Sequence, residues 1–253
     1  MLTKIYYQGA EILSAFLNGV KVFGSDTVPV EPSGDMGLRA NYSGTGWYKA
    51  TDSGTVFSKD VPALETHVFS DSPKEYVSVY TKDDARLYGE RAATSNITNM
   101  SNMFNNKTSF NQDLSSWDVS NVTDMSSMFF YATSFNQNIS SWDVSSVTTI
   151  GSMFSNATSF NQNISSWDVS SVTYAIGMFN MATSFNQDIS GWDVSSVTDM
   201  MSMFYGAAEF NQDLSQWCVT KIKTAPDYFN NNTQKWTLPK PVWGTCPRGE
   251  NLP

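Results

Sequence analysis

A 25-residue repeat that runs without insertion from about residue 95 to residue 219 is the feature that most constrains the fold. Each copy contains a Met-Phe pair, then Phe-Asn-Gln, then a tryptophan. The repeated positions are Phe110, Phe135, Phe160, Phe185 and Phe210, with Trp117, Trp142, Trp167, Trp192 and Trp217, and with Met103, Met128, Met153, Met178 and Met203. One unit of this size cannot bury its own aromatic residues, so neighbouring units are expected to stack into a continuous core.

The spacing inside one unit predicts its local structure. Ile139, Trp142, Val144 and Val147 have the apolar spacing of a leucine-rich repeat, in which a short strand points alternate side chains inward. The segment Thr123–Phe129 follows the spacing of a short helical turn, capped by its first residues. The predicted fold class is therefore an α/β solenoid. It is a short leucine-rich-repeat stack of five 25-residue coils with a parallel strand face, preceded by a small β-rich N-terminal domain.

The two ends of the repeat predict the domain organisation. After residue 219 the pattern decays, and residues 220–253 are predicted to cap the last coil. Near the start, Asn18-Gly19 separates two apolar runs and predicts a hairpin. A linker rich in turn residues follows at 26–36. We therefore expect an attachment segment and linker at 1–35, a small β-rich domain at 36–94 that covers the first coil, the five repeats at 95–219, and the cap.

Charge and hydropathy exclude two classes of partner. The formal net charge is −9, and the repeat block holds ten acidic residues against one cation, Lys107. Such a surface repels phosphate backbones, so no nucleic acid partner is expected. Apolar runs stay well short of the ~18 residues of a membrane span, so no membrane insertion is expected either. Gln8, Glu11 and Asn18 interrupt the first apolar residues, which do not read as a secretory signal. We expect synthesis in a cytosol.

Few residues offer chemistry. His67 is the only histidine, and no serine lies in a pattern that pairs a nucleophile with a base. No catalytic residue and no cofactor are predicted, and we expect that the protein is not an enzyme. The two cysteines, Cys218 and Cys246, are too few for a metal cluster. They either form one disulfide, which would stabilise the fold by about 3 kcal/mol, or remain two thiols.

An aspartate column is the candidate binding site. Each of these aspartates lies between the tryptophan and a valine, so it is expected to point outward, and a serine follows two residues later. The predicted ligand-binding residues are Asp118, Asp143, Asp168 and Asp193, with Ser120, Ser145, Ser170 and Ser195. Carboxylates stacked about 5 Å apart would repel by roughly 1–3 kcal/mol per pair. Serine hydrogen bonds, a cation such as Ca²⁺, or a basic ligand would offset this repulsion.

A second column is made of asparagines that follow the repeated phenylalanines. Its members are Asn111, Asn136, Asn161, Asn186 and Asn211. Stacked amides at a turn can hydrogen-bond the backbone of the next coil, so we interpret this column as structural.

Two resemblances bear on function. The stretch NMSNMFNNKTSFNQDLSSWDVSNVTDMSSMF, from Asn99 to Phe129, resembles the BspA-like leucine-rich repeat of bacterial surface proteins, and WGTCP at Trp243–Pro247 resembles closures that follow such repeats. This resemblance implies an adhesion or interaction module that faces outward. The first residues, with Tyr6, Tyr7 and Phe16, are similar to the N-terminal attachment segments of bacteriophage virion proteins.

These observations together predict a non-enzymatic bacteriophage virion structural protein. It would sit on tail or head at the virion surface, as a homo-oligomer or in another symmetric assembly. Its N-terminal segment would contact other virion proteins, while the repeats recognise a glycan or protein of the host surface. One alternative is a bacterial cell-surface or secreted BspA-like adhesin. Another is a passive capsid decoration protein.

Overall fold

The computed structural model of the chain describes residues 92–247 and, before them, eight short strands. The chain divides into two compact units, Met1–Gly34 and Asp35–Pro253, and each is described by itself.

The first unit contains two antiparallel strand pairs. Strand β1 (Thr3–Tyr7) pairs with β2 (Ala10–Ser14), and β3 (Phe16–Leu17) pairs with β4 (Val20–Lys21). The second pair flanks Asn18-Gly19, which confirms the predicted hairpin. The linker predicted at residues 26–36 lies outside the described residues.

The second unit begins with short strands and continues into the repeats. Strand β5 (Gly46–Lys49) pairs antiparallel with β6 (Val56–Lys59), and β7 (Thr66–Val68) with β8 (Glu75–Ser78). Strand β9 (Ala92–Ala93) is parallel to β8 and leads into the first coil. There the hydroxyl of Thr94 donates to the backbone oxygen of Asp118 at 2.8 Å.

The predicted α/β solenoid with a parallel strand face is wrong. Between residues 94 and 247 the structure has no helix and no strand, but a succession of tight turns. In the Trp-x-Val segment, Trp142 N–H donates to Ile139 O and Val147 N–H to Val144 O. Each of these bonds closes a four-residue turn. The turns place the same side chains inward as an extended strand would.

Successive coils are joined by main-chain bonds along one segment of the repeat. Every second residue of this segment donates its N–H to an oxygen 24 residues further on, as Phe129 does to Met153 at 2.9 Å. The donors between two neighbouring coils are Met125, Ser127, Phe129 and Tyr131. Within the repeats, strand-like pairing is limited to isolated parallel bridges that join Asn99, Asp124, Thr149, Tyr174 and Asp199 in succession. The observed architecture is thus a column of turn-built coils.

Left-handed residues explain why the Met-Phe segment is not helical. Two positions per coil have positive φ, between 54° and 67°, and they are four residues apart. The non-glycine residues are Asn102, Asn106, Ser127, Tyr131, Ser152, Asn156, Met181 and Ser202, and Gly177 and Gly206 fill the equivalent places in their coils. An L-residue in this conformation costs about 1–2 kcal/mol and ends a right-handed helix.

Substituting Gly177 with alanine tests this backbone conformation. Gly177 has φ +60°, and an added Cβ would lie 3.4 Å from the Ser152 hydroxyl, an ordinary contact. We therefore expect the free energy of unfolding to fall by about 1 kcal/mol, through the backbone alone. Gly191→Ala is the matched control, because nothing lies within 4 Å of its Cβ position and its φ is not positive. Equal urea midpoints for the two variants would contradict the assignment.

Aromatic stacks fill the interior of the column. Phe129 and Phe135 of one coil stack at 3.8 Å, and Phe129 stacks on Phe154 of the next coil at 5.6 Å. Each tryptophan from the second coil onward donates its indole N–H to a carbonyl of the preceding coil, as Trp167 does to Ile139 O at 3.1 Å. The repeated Phe and Trp residues are therefore both core and cross-coil links, with nearly all of them buried.

The asparagine column is structural, as predicted. The side-chain oxygen of Asn161 accepts the N–H of Asn186 at 3.0 Å and the amide of Gln187 at 2.9 Å, both from the next coil. The same backbone bond recurs for Asn111, Asn136 and Asn186.

Asn161→Ala is expected to lower the free energy of unfolding by about 1 kcal/mol, since two donors lose one acceptor at an exposed site. Asn231→Ala, at an exposed asparagine outside the column, is the control and should stay within about 0.5 kcal/mol of the parent. Urea denaturation measures both. No difference between the two would remove the structural role.

The C-terminal residues close the last coil by a different geometry. Cys218 and Cys246 form a disulfide. Trp236 packs nearly perpendicular to Phe210, at 4.8 Å and 85°, where every earlier phenylalanine of that column has a parallel neighbour. The register also changes, because Ser202 N–H donates to Asp227, 25 residues on, instead of the usual 24. The regular column therefore ends here.

Candidate binding face

The aspartate column lies in the turns after the tryptophans, and its carboxylates are engaged by the predicted serines. Asp143 Oδ1 accepts the Ser145 N–H at 3.1 Å and the Ser145 hydroxyl at 2.7 Å. The same arrangement holds Asp118 with Ser120, Asp168 with Ser170, and, through the N–H, Asp193 with Ser195. Each pair is a closed Asx turn. Of the three means expected to offset the repulsion between carboxylates (serine hydrogen bonds, a cation or a basic ligand), the structure shows the serine hydrogen bonds.

The column does not uniformly point outward. Asp168 is exposed and Asp143 and Asp193 are half-buried, but Asp118 is only 1% exposed. Asp118 is covered because the segment entering the first coil lies beside it, with the Thr94 hydroxyl bound to its backbone oxygen. The expectation of an outward side chain is therefore wrong for Asp118, since residues far away in sequence set its burial.

Within the described part of the chain, no three His, Cys, Asp or Glu side chains come together as a metal site. A cation or basic ligand on the aspartate column stays a prediction. The absence of catalysis also stays a prediction. The histidine considered for it, His67, lies in β7, whose side chains are not described.

Two acidic residues at another corner of the coil have a lowered pKa. The Ser190 N–H, which donates to Asp188 Oδ1 at 2.9 Å, and then the Ser190 hydroxyl hold the pKa of Asp188 below its ordinary 3.8. The pKa of Asp213 is also lowered, but here the hydrogen bond from the Ser215 hydroxyl has the larger effect and the one from the Ser215 N–H the smaller. The structural cause is again an Asx turn that favours the charged form.

This shift predicts how Asp188 responds to acid. Because its pKa is lower in the folded than in the unfolded state, it adds stability above pH 3.8, which is lost as the pH falls through the folded pKa. We expect an NMR titration midpoint below 3.8, and a weaker acid dependence of stability in Asp188→Asn. Asn138 and Asn163 already accept the same serine N–H in their coils, so the variant keeps that bond. A midpoint above 3.8 would contradict the assignment.

A second face was missed by sequence reasoning. The ladder segment, residues 124–131 and their equivalents in the other coils, carries the main-chain bonds between coils. Its outward residues differ from coil to coil, whereas the Phe-Asn-Gln and Trp-x-Val segments hardly change. Its large exposed residues are Tyr131, Tyr174, Met181 and Met201. The signal that could have found them is a comparison of the repeats with each other. Positions that vary among otherwise identical copies are free of the packing that fixes the rest.

No helix in the described residues is long and apolar enough to cross a membrane. The stacked turns, the cross-coil hydrogen bonds and the exposed side chains define a repeat protein that displays side chains on a stack of coils. The chain belongs to the DUF285 family, described as "Mycoplasma protein of unknown function", which matches residues 82–175 and 146–239 and so more than half of its length. This membership is consistent with the BspA-like resemblance. No curated protein and no solved structure shows a significant match.

Proposed function

We propose that the chain is a non-enzymatic recognition protein of a bacteriophage virion, displayed on tail or head, whose coils adhere to the host surface. The observation that carries this proposal is the division of labour within each coil. The repeated residues join one coil to the next, while the outward residues of the ladder segment vary and include exposed Tyr and Met. A passive decoration protein would have no need for such side chains in water.

The disulfide supports a location outside a reducing cytosol. Cys218–Cys246 joins the last coil to the C-terminal segment, and such bonds persist in oxidising surroundings, which include virion and cell surfaces.

The separate first unit supports attachment to a particle. Residues 1–34 form a compact unit of their own, which contains two strand pairs. An attachment element joined to a recognition element would have this organisation, with other virion proteins as partners of the first unit.

A second candidate is a bacterial cell-surface adhesin, which the description of the matching family as a Mycoplasma protein favours. The recognition role of the coils is the same in both cases, and only the carrier differs.

Immunogold electron microscopy with antibodies against the full chain separates these proposals. Gold on intact particles from a lysate of the source culture would support the virion protein, and gold on uninfected cells would support the adhesin instead. On labelled particles, Fab fragments are expected to reduce adsorption to host cells about tenfold or more. Labelled particles that adsorb normally under saturating Fab would point to passive decoration and overturn the recognition role.

A further inference from the structure

Five exposed aromatic and methionine side chains lie on the ladder segment and its continuation into the C-terminal residues. We call them the Tyr/Met patch: Tyr131, Tyr174, Met181, Met201 and Tyr228, each at least 39% exposed. Their surroundings are otherwise rich in Ser, Thr and Asn. Single exposed apolar residues are ordinary, but four of them on the one variable segment of the repeats, Tyr131, Tyr174, Met181 and Met201, form an unusual group.

Neighbouring residues hold these side chains in place. A Cβ on Gly151 would lie 2.9 Å from the Tyr174 ring, so that ring rests on the glycine of the preceding coil. A Cβ on Gly206 would lie 2.3 Å from Met181 Sδ, so this methionine covers the glycine of the next coil. The glycines therefore leave the room that the large side chains occupy.

Aromatic contacts restrict two further members, Tyr131 and Tyr228. Tyr131 packs edge-to-face with Phe130 at 4.8 Å, and Tyr228 with Tyr205 at 6.3 Å. Side chains that are already ordered lose less rotamer entropy when a partner binds. Four of the five side chains of the patch are thus held by neighbouring residues before a partner binds.

The charge around the patch indicates the kind of partner. Asp124 and Asp199 occupy the same bridged column as Tyr174, and Lys107 is the one cation of residues 95–219, against ten acidic residues. Tyr and Met are enriched in the buried centres of protein interfaces, and surrounding charges guide encounter and orientation. Exposed methionine has little to offer a sugar hydroxyl but packs well against apolar side chains.

We propose that the Tyr/Met patch is the docking site for a protein whose contact surface has an apolar centre ringed by Lys and Arg. The proposal rests on the recognition role above and adds the face and the chemistry of the partner. It places recognition on the ladder segment, away from the aspartate column at the Trp-Asp-Val corner.

Binding of the labelled full chain to intact host cells tests the proposal. The test variant is Tyr174→Ser/Met201→Ser, and Tyr131→Ser is a second, independent variant. Leu238→Ser/Val242→Ser is the matched control, since it removes equally exposed apolar side chains elsewhere. Asp168→Asn probes the aspartate column. Unchanged thermal unfolding establishes that each variant is folded. The cells are used untreated, after protease digestion, or after periodate oxidation of their glycans.

The double variant is expected to bind about 30-fold more weakly, as for the loss of central interface residues, and the control to bind as the parent does. Protease digestion of the cells should abolish binding, periodate should not, and higher salt should weaken it. Normal binding by both patch variants, or loss on periodate alone, would overturn the proposal while leaving the recognition role intact. A parent chain that binds no cells would overturn both.

Discussion

Trp167→Ala is expected to lower the free energy of unfolding by about 4 kcal/mol. The ring is buried in the middle of the column, 6.4 Å from Trp142 and 6.3 Å from Phe154. Its removal leaves a cavity between the packed rings of neighbouring coils. It also leaves Ile139 O without the indole N–H that it accepts. Urea denaturation followed by circular dichroism measures the change.

Two further variants help to explain the loss of unfolding free energy in Trp167→Ala. Trp167→Phe restores much of the volume but not the hydrogen bond. Its free energy of unfolding should therefore lie between those of the parent and the alanine variant. Tyr174→Ala removes an aromatic ring that is 44% exposed, and should cost less than about 1 kcal/mol. If Trp167→Ala cost no more than Tyr174→Ala, the continuous aromatic core described above would be untenable.

Replacing both cysteines with serine is expected to lower the free energy of unfolding by about 3 kcal/mol. The disulfide joins Cys218 and Cys246 across 28 residues. Without it, the unfolded chain has a higher conformational entropy, because the loop between the two cysteines is no longer closed. The chain has only these two cysteines, so a reducing agent should destabilise the parent by the same amount. The double variant itself should be insensitive to the reducing agent. A parent that is equally stable with and without reductant would show that the bond contributes nothing.

The period and the buried residues of the repeat could be predicted from the sequence, but the local backbone could not. Ile139, Trp142, Val144 and Val147 do point inward, as the leucine-rich-repeat spacing requires. A chain of four-residue turns satisfies that spacing as well as a strand does, and only the hydrogen bonds distinguish the two. The spacing of apolar residues reports which side chains are inside, not how the backbone brings them there.

The helical turn predicted at Thr123–Phe129 failed for a different reason. Ser127 has a φ of 55°, and Tyr131, just after the segment, has the same value, although neither residue type favours the left-handed region. The stacking of coils on both sides imposes it, because each of these residues donates its N–H to the next coil. The sequence carries hints at the equivalent positions of other coils, where glycine (Gly177, Gly206) or asparagine (Asn102, Asn106, Asn156) stands.

The candidate site was predictable only in part. The aspartate–serine pairs were visible because they repeat, and the structure places each pair in one turn. The burial of Asp118 was not visible, since it depends on the segment that precedes the repeats. Tyr174 and Met201 could not be predicted from the repeat pattern, because they occupy positions that differ between the copies.

The change of register at the C-terminal end has a consequence for self-association. In a stack of identical coils, the last coil exposes the same backbone donors and flat rings that bind a neighbouring coil inside the stack. A second molecule could add to this exposed end, and repeated addition would form a fibre. Here Ser202 bonds one residue out of step, and Trp236 turns its ring across that of Phe210. The stack of parallel rings therefore does not offer a flat ring face to an incoming copy at this end.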